Sequence, residues 1–274
     1  MNKLKMFCIT LEPDHINYIK SLSYTPVVLG DKTSPTKFLS DKDGENINHK
    51  NKHYGEYTFH YWLWKNYLNK IDTEWVGFCQ YRKFFLKDKI NFNKNYLTFE
   101  KFNSHLIKNI EDEDRDYDCI LGELFLVNNF RFTKFVKKGI LKFIKNPSLI
   151  FNKNKRNIKL HFDIFHGDGN LDQAINLLDK ENRDGFNEYV NENVGFHPHN
   201  MFICKKKHLE KYYEVIFPWL KRCESLFGFK LEGYGMKRIY GFLAERFLSY
   251  WFLKNYKVKE LPIIGKDLSD YKNL

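Results

Sequence analysis

Short apolar runs alternate with helical patterning from the first residues onward, and this alternation narrows the fold more than any other feature of the chain. Residues 5–11 and 24–30 read as buried strands with a short helix between them over 14–22. A polar loop over 33–52 leads into a helix over 54–68, and then into a strand over 74–85 that runs on past a charged tip. Strands that alternate with helices predict an α/β chain with a mostly parallel central sheet flanked by helices.

Further along, residues 98–109 pattern as a helix with Thr98 at its N-cap, and 117–121 as a strand. The acidic run 111–116 between them reads as a solvated loop rather than a metal site, because consecutive acids face water more readily than they converge on one cation. A strand over 194–204, an amphipathic helix over 208–227, a glycine-rich break over 228–235, an apolar helix over 237–253 and an edge strand over 258–264 complete the reading. No repeat or linker divides the 274 residues, so one domain is expected.

Charge is distributed unevenly. The chain carries +11, from 45 Lys and Arg against 34 Asp and Glu, which implies anionic partners. Between residues 124 and 162 there is no Asp or Glu but ten basic residues, interleaved with Phe and Ile. A basic amphipathic helix over 130–144 is expected there, suited to an anionic membrane surface or to a solvated position over the core. Five cysteines, odd in number and without a Cys-x-x-Cys pair, argue against a disulfide framework or structural zinc and suggest a reducing cytoplasm. The amino terminus lacks the apolar run of a secretory signal, and no stretch of eighteen apolar residues is present to span a bilayer. A pI near 9.2 with many aromatics would also suit a nucleic-acid- or polyanion-binding protein, which is the non-enzymatic alternative; no nucleic-acid-binding signature accompanies it, and nucleic acid is not expected as a partner.

Several residues carry candidate chemistry. Gln80, Tyr81 and Arg82 stand at the end of an apolar strand, where ligands of parallel α/β sheets bind; Arg82 offers a fork for phosphate oxygens and Tyr81 a ring and a hydroxyl. Asn46, Asn48 and Asn51 precede the aromatic helix and can read a base or sugar, or simply make turns. Glu56, Thr58, Trp62 and Lys65 lie on that helix. His197 and His199 form a His-x-His pair, too few for a metal unless His166 or Asp168 joins them. His197 and Asn200 otherwise read as polar contacts for a substrate hydroxyl. Glu245, among apolar neighbours and next to Arg246, is either a general base or half of a structural ion pair.

The blocks Gly44-Glu45-Asn46-Ile47-Asn48 with Asn51, Tyr54-x-Glu56-x-Thr58-x-x-Tyr61-Trp62-x-Trp64-Lys65-Asn66, and Gly77-Phe78-x-x-Tyr81-Arg82-x-Phe84 resemble a known family, as do His199-Asn200-Met201-Phe202-Ile203 and Gly241-Phe242-Leu243-x-Glu245-Arg246-x-Leu248. They resemble the capsular and exopolysaccharide glycosyltransferases grouped as domain-of-unknown-function family 4422. The resemblance implies a GT-A-like, Rossmann-like fold, with residues 1–123 as the nucleotide-sugar half and 163–274 as the acceptor and catalytic half; the basic segment within 124–162 has no counterpart in the family pattern and is expected as a helical insert. It implies transfer of a sugar, UDP-linked and in some members galactofuranose, onto a capsular, exopolysaccharide or lipopolysaccharide glycan.

Donor contacts are then expected from Thr10, Asn46, Asn48, Asn51, Tyr54, Glu56, Thr58, Trp62, Lys65, Gln80, Tyr81 and Arg82, and acceptor contacts from His166, His197, His199, Asn200 and Arg246. Glu245 is the expected base, with Asp168 second. Gln80 stands where the family pattern has His, so no imidazole role carries over to it. Many GT-A enzymes carry Asp-x-Asp at this strand end. Arg82 with Lys83 or Lys65 is therefore expected to neutralise the leaving diphosphate without a divalent cation, with manganese and magnesium left open. The acceptor is expected to be a glycan or lipid-linked glycan met at the inner face of the cytoplasmic membrane, through residues 130–159. Transfer of a non-sugar group is the remaining enzymatic alternative; no Walker loop supports an ATP-dependent route.

Overall fold

The structure, a computed structural model, describes residues 2–30, 37–89, 97–129 and 132–271, with side chains for all of these but 2 and 129–138. Residues 31–36 of the expected polar loop, and Phe130 and Arg131 at the start of the expected basic helix, lie outside the described residues.

Eleven strands occur among the described residues: β1 (Asn2–Thr10), β2 (Thr25–Val28), β3 (Trp75–Gln80), β4 (Lys83–Phe85), β5 (Asn109–Ile110), β6 (Cys119–Gly122), β7 (Phe125–Leu126), β8 (Gly195–Phe196), β9 (Phe202–Lys205), β10 (Val258–Leu261) and β11 (Ile263–Gly265). The main sheet runs β10-β6-β9-β3-β1-β2. Its outer pairings, β10 with β6, β3 with β1 and β1 with β2, are parallel, and β9 sits antiparallel between β6 and β3. The mixed α/β architecture and mostly parallel path agree with the alternation in the sequence.

The helices are α1 (Ile16–Ser21), α2 (Asn51–Tyr54), α3 (Tyr57–Trp62), α4 (Phe99–Ser104), α5 (Phe132–Lys145), α6 (Ser148–Phe151), α7 (Ile158–His166), α8 (Asn170–Asn176), α9 (Lys180–Glu192), α10 (Lys206–Phe227), α11 (Tyr234–Lys237) and α12 (Ile239–Asn255). One core lies between the sheet and α3, α10 and α12, where Phe7, Phe78 and Phe202 meet Phe59, Tyr212, Tyr213 and Phe252. A second core on the opposite face gathers Met6, Trp75, Phe84, Phe102 and Ile203. Strands covered on both faces explain why their sequences are near-continuous apolar runs rather than alternating ones. All five cysteines are buried free thiols. Thr98 caps α4 by accepting from the Lys101 N–H at 3.3 Å.

Five expectations need correction. The helix read over 98–109 ends at Ser104, and Asn109–Ile110 pairs with β1 as β5; the edge strand read over 258–264 divides at Pro262 into β10, which pairs with β6, and β11, which pairs with β4. The run 74–85 is not one strand: Gln80 pairs with Lys83 and the chain reverses over Tyr81 and Arg82, so β3 and β4 form a hairpin. The run 194–204 is also broken. Pro198 has no N–H for a ladder, and His199 (φ 79°) and Asn200 (φ 52°) adopt left-handed backbone, sending β8 to pair with β7 and β9 into the main sheet. Finally, the aromatic helix does not start at Tyr54. Gly55 (φ 59°) separates α2 from α3, and α3 continues into a π-helical turn over Leu63–Tyr67.

Candidate active site

The β3–β4 hairpin, the end of β1, the α2–α3 junction, the His199-Asn200 turn and the start of α12 converge on one cavity of about 460 Å³. Its wall carries Arg82, Lys83 and Arg238 as cations and Glu56 and Glu245 as carboxylates. Position follows from topology: these are the carboxyl ends of parallel strands β1 and β3, where an α/β sheet opens its crevice.

Glu56 is the best-connected acid. Its Oε1 accepts from Asn200 Nδ2 at 2.9 Å and Gln80 Nε2 at 3.4 Å, and its Oε2 lies 3.3 Å from Arg238 Nη2. Burial pushes its carboxyl above the ordinary range, and Arg238 opposes that shift. Gly55 makes the ion pair possible, because a Cβ there would collide with the Arg238 guanidinium. Gly55→Ala is expected to strain the backbone by about 1–3 kcal/mol and lower the melting temperature by a few degrees. An unchanged melting temperature would count against this geometry.

Gln80 also donates to the His199 carbonyl at 2.9 Å, locking the hairpin to the left-handed turn. The Arg82 guanidinium lies 4.8 Å from the Tyr81 ring centroid, and Tyr81 stacks on His15 at 4.9 Å. The Lys83 ammonium sits 2.8 and 2.7 Å from the two ring nitrogens of His199. Burial and the Lys83 charge hold that imidazole down to about 3, so it faces the cation as a neutral acceptor. Burial likewise lowers Lys83 below the lysine range, against the pull of Glu245. Neither Arg82 nor Lys83 makes an ion pair with a carboxylate among the described residues, which leaves both charges for a ligand.

A second cavity of about 500 Å³ adjoins the first. Phe125, Phe165, Phe196 and Met236 give it an apolar wall, with His161, His166 and Arg246 among its polar groups. His199, Tyr234, Phe242 and Glu245 line both cavities. Glu245 is thus the carboxylate at the junction: one oxygen accepts from the His199 N–H at 2.6 Å and the other is paired with Arg246. Arg246 is buried, its guanidinium 4.2 Å from the Phe196 ring centroid, and its Nε–H has no partner among the described residues.

Of the residues expected to hold a donor, the structure brings Thr10, Asn51, Glu56, Gln80, Tyr81 and Arg82 to the first cavity. Thr58 stands behind it, accepting from Asn51 Nδ2 at 3.0 Å. The others lie elsewhere. Asn46 donates to the carbonyls of Lys42 and Gly44, and the Asn48 N–H is held by the Asn46 side chain, so both serve the turn. Tyr54 is buried with its hydroxyl 2.6 Å from Glu224, Trp62 Nε1 donates to the Asp43 carbonyl, and Lys65 is exposed over Trp64.

Among the expected acceptor contacts, His166, His199 and Arg246 line the second cavity and Asn200 the first. His197 lines neither; it is buried with Nδ1 2.6 Å from the Gly122 carbonyl. Asp168 also lines neither, and pairs with Lys142 on the exterior. His197, His199, His166 and Asp168 therefore do not gather around a common point, and no group of three or more His, Cys, Asp or Glu is arranged to hold a metal among the described residues. Tyr234 and Phe242 escaped the sequence reading because a glycine-rich break and an apolar helix gave no sign that they would face a cavity.

Comparison with known proteins fits this arrangement. The chain resembles the solved apo structure of WbbM, a bifunctional glycosyltransferase, with a TM-score of 0.69 at 21% identity over 97% of this chain. It spans 45% of WbbM, so the likeness concerns the fold of that portion. No curated protein matches. A family profile described as a domain of unknown function, DUF4422, matches residues 8–256. The chain with these two adjoining cavities belongs to that family.

Proposed function

We propose that the protein is a glycosyltransferase that moves a sugar from a nucleotide-sugar donor to a hydroxyl of a glycan acceptor. The observation that carries this reading is Glu245, the carboxylate common to a cation-lined cavity and an aromatic one. A nucleoside diphosphate matches the first cavity, where Arg82 and Lys83 have charge to spare and Asn200 Oδ1 is buried without a partner among the described residues. Sugar rings present apolar C–H faces to aromatic side chains and hydroxyls to His and Arg, which matches the second.

In the reaction, the bond between the anomeric carbon and the diphosphate oxygen breaks as the acceptor oxygen bonds to that carbon. The electron pair leaves with the diphosphate, whose charge Arg82, Lys83 and Arg238 neutralise, and the acceptor proton passes to Glu245. WbbM is named as a bifunctional glycosyltransferase, which supports sugar transfer. A UDP-linked donor, galactofuranose among the sugars, and a bacterial surface glycan as acceptor at the cytoplasmic side of the membrane remain our reading from the family resemblance.

We further propose that no divalent cation is needed, since cationic side chains stand where bridging carboxylates would be required. Thermal denaturation with UDP, GDP, CMP and their sugars, in EDTA and then with manganese or magnesium, tests both points. One class of nucleotide should stabilise the protein in EDTA by about 2–3 kcal/mol at a hundredfold excess over its Kd. Stabilisation by none of them would overturn the donor assignment, and stabilisation only with metal would overturn the cation-free mechanism.

A further inference from the structure

We propose that the α5–α6 face seats on an anionic lipid bilayer and holds the second cavity toward an acceptor carried by that bilayer; the latter half rests on reading that cavity as the acceptor side. Eight of the thirteen exposed large hydrophobic side chains among the described residues fall within 124–151; five of them, Ile140, Leu141, Ile144, Ile150 and Phe151, stand on α5 and α6, and Leu124, Phe125 and Leu126 at β7, with Phe125 lining the second cavity. Such clustering far exceeds the scatter of single apolar residues on an ordinary surface.

Helix geometry separates an inner from an outer side. Gly139 and Phe143, four apart, face inward: a Cβ on Gly139 would press on Ile164 of α7, and Phe143 is buried against Leu149. Ile140, Leu141 and Ile144 therefore lie on the outer side, 51%, 70% and 68% exposed, and Phe151 at the end of α6 is 85% exposed. Arg156 ties this unit to the β7 end, with Nε 2.7 Å from the Leu149 carbonyl and Nη1 3.4 Å from the Asn128 carbonyl.

Charge decides the occupant. Lys142 and Lys159 are neutralised by the buried Asp163 and by Asp168 and Asp172 on the exterior, whereas Lys145, Lys153 and Lys155 are exposed beside the apolar residues. Acid is absent from the whole of 124–162. Exposed Ile, Leu and Phe on α5 and α6, with Lys145, Lys153 and Lys155 as the exposed charges of residues 139–156 and the neighbouring Asp168 and Asp172 already paired with Lys142 and Lys159, match the acyl boundary and the anionic headgroups of a lipid leaflet. A single helix, α7, separates this face from the second cavity: Leu160 and Ile164 pack toward α5 and α6, while His161 and His166 line the cavity and Phe165 does both.

The test is sedimentation of the purified chain with vesicles of phosphatidylcholine alone, or with about a third phosphatidylglycerol. Binding should be at least about tenfold stronger to the anionic vesicles, weaken with salt, and fall at least about tenfold in a Leu141→Asp, Ile144→Asp double variant. These side chains are exposed, so the variant should keep the wild-type melting temperature and nucleotide response. Absent binding, equal binding to neutral vesicles, or a variant that binds like wild type would overturn the proposal. A wild-type dimer in sedimentation velocity that the same variant dissociates would overturn it too, assigning the face to a second copy. Vesicle binding without any nucleotide response would instead overturn the donor cavity and leave the surface standing.

Discussion

Glu245→Gln is expected to lower the turnover of sugar transfer by about 10²–10⁴-fold, the usual worth of a positioned general base. Nucleotide stabilisation should persist, because Gln retains an oxygen for the His199 N–H. The pairing of Glu245 with Arg246 complicates the single variant, since a neutral amide leaves a buried guanidinium short of its counter-charge. Glu245→Asp resolves this. It keeps the negative charge near Arg246 but withdraws the carboxylate from the junction of the cavities, so turnover should still fall while the fold is retained. If both variants are folded and turn over at near wild-type rates, Glu245 is not the base, and Glu56, the other carboxylate of the first cavity, takes its place.

Acid should destabilise the protein well before its carboxylates titrate. His60, His161 and His199 are each held down to about 3, first by burial and, for the latter two, also by Arg246 and Lys83. In the unfolded chain they titrate near 6.5. Between those values the unfolded state binds more protons, so the stability these groups allow is complete above about 6.5 and is lost as pH falls toward 3. At pH 5 each imidazole costs about 2 kcal/mol by linkage, and three together approach a sizeable share of a typical folding free energy of about 5–15 kcal/mol. Chemical denaturation from pH 7.5 to 5 should show a steady loss, with a shallower slope in a His60→Gln variant. A flat profile would show that these rings are hydrated in solution.

The parallel framework was legible because buried strands leave near-continuous apolar runs, and β1, β2 and β3 lie close to where the pattern placed them. Reversals were less legible. Tyr81-Arg82 carries no glycine or asparagine to announce a hairpin, and Pro198 signalled a break only faintly within an apolar stretch. The same physics divides the site. Arg82 and Gln80 were found because chemistry stood at a strand end, whereas Tyr234 and Phe242 reach the cavities only through the packing of α11 and α12. Tyr54 and Trp62 belong to matching motifs, yet their polar atoms are consumed by Glu224 and the Asp43 carbonyl. A motif can mark a fold's supports as readily as its ligand contacts.

The placement of β9 between β3 and β6 has a consequence for how the chain comes to be folded. β3 and β6 do not pair with each other in the finished sheet; each hydrogen-bonds to a strand that begins only at Phe202. While the ribosome is still adding the residues between, both edges stand open, and a nascent chain with open edges is prone to pair with its neighbours. Closure also waits for contacts of large sequence separation, which slows folding. The turn His199-Asn200, which shapes the donor cavity, is therefore also where the final central strand is steered into its gap, and the site cannot exist before that insertion is complete.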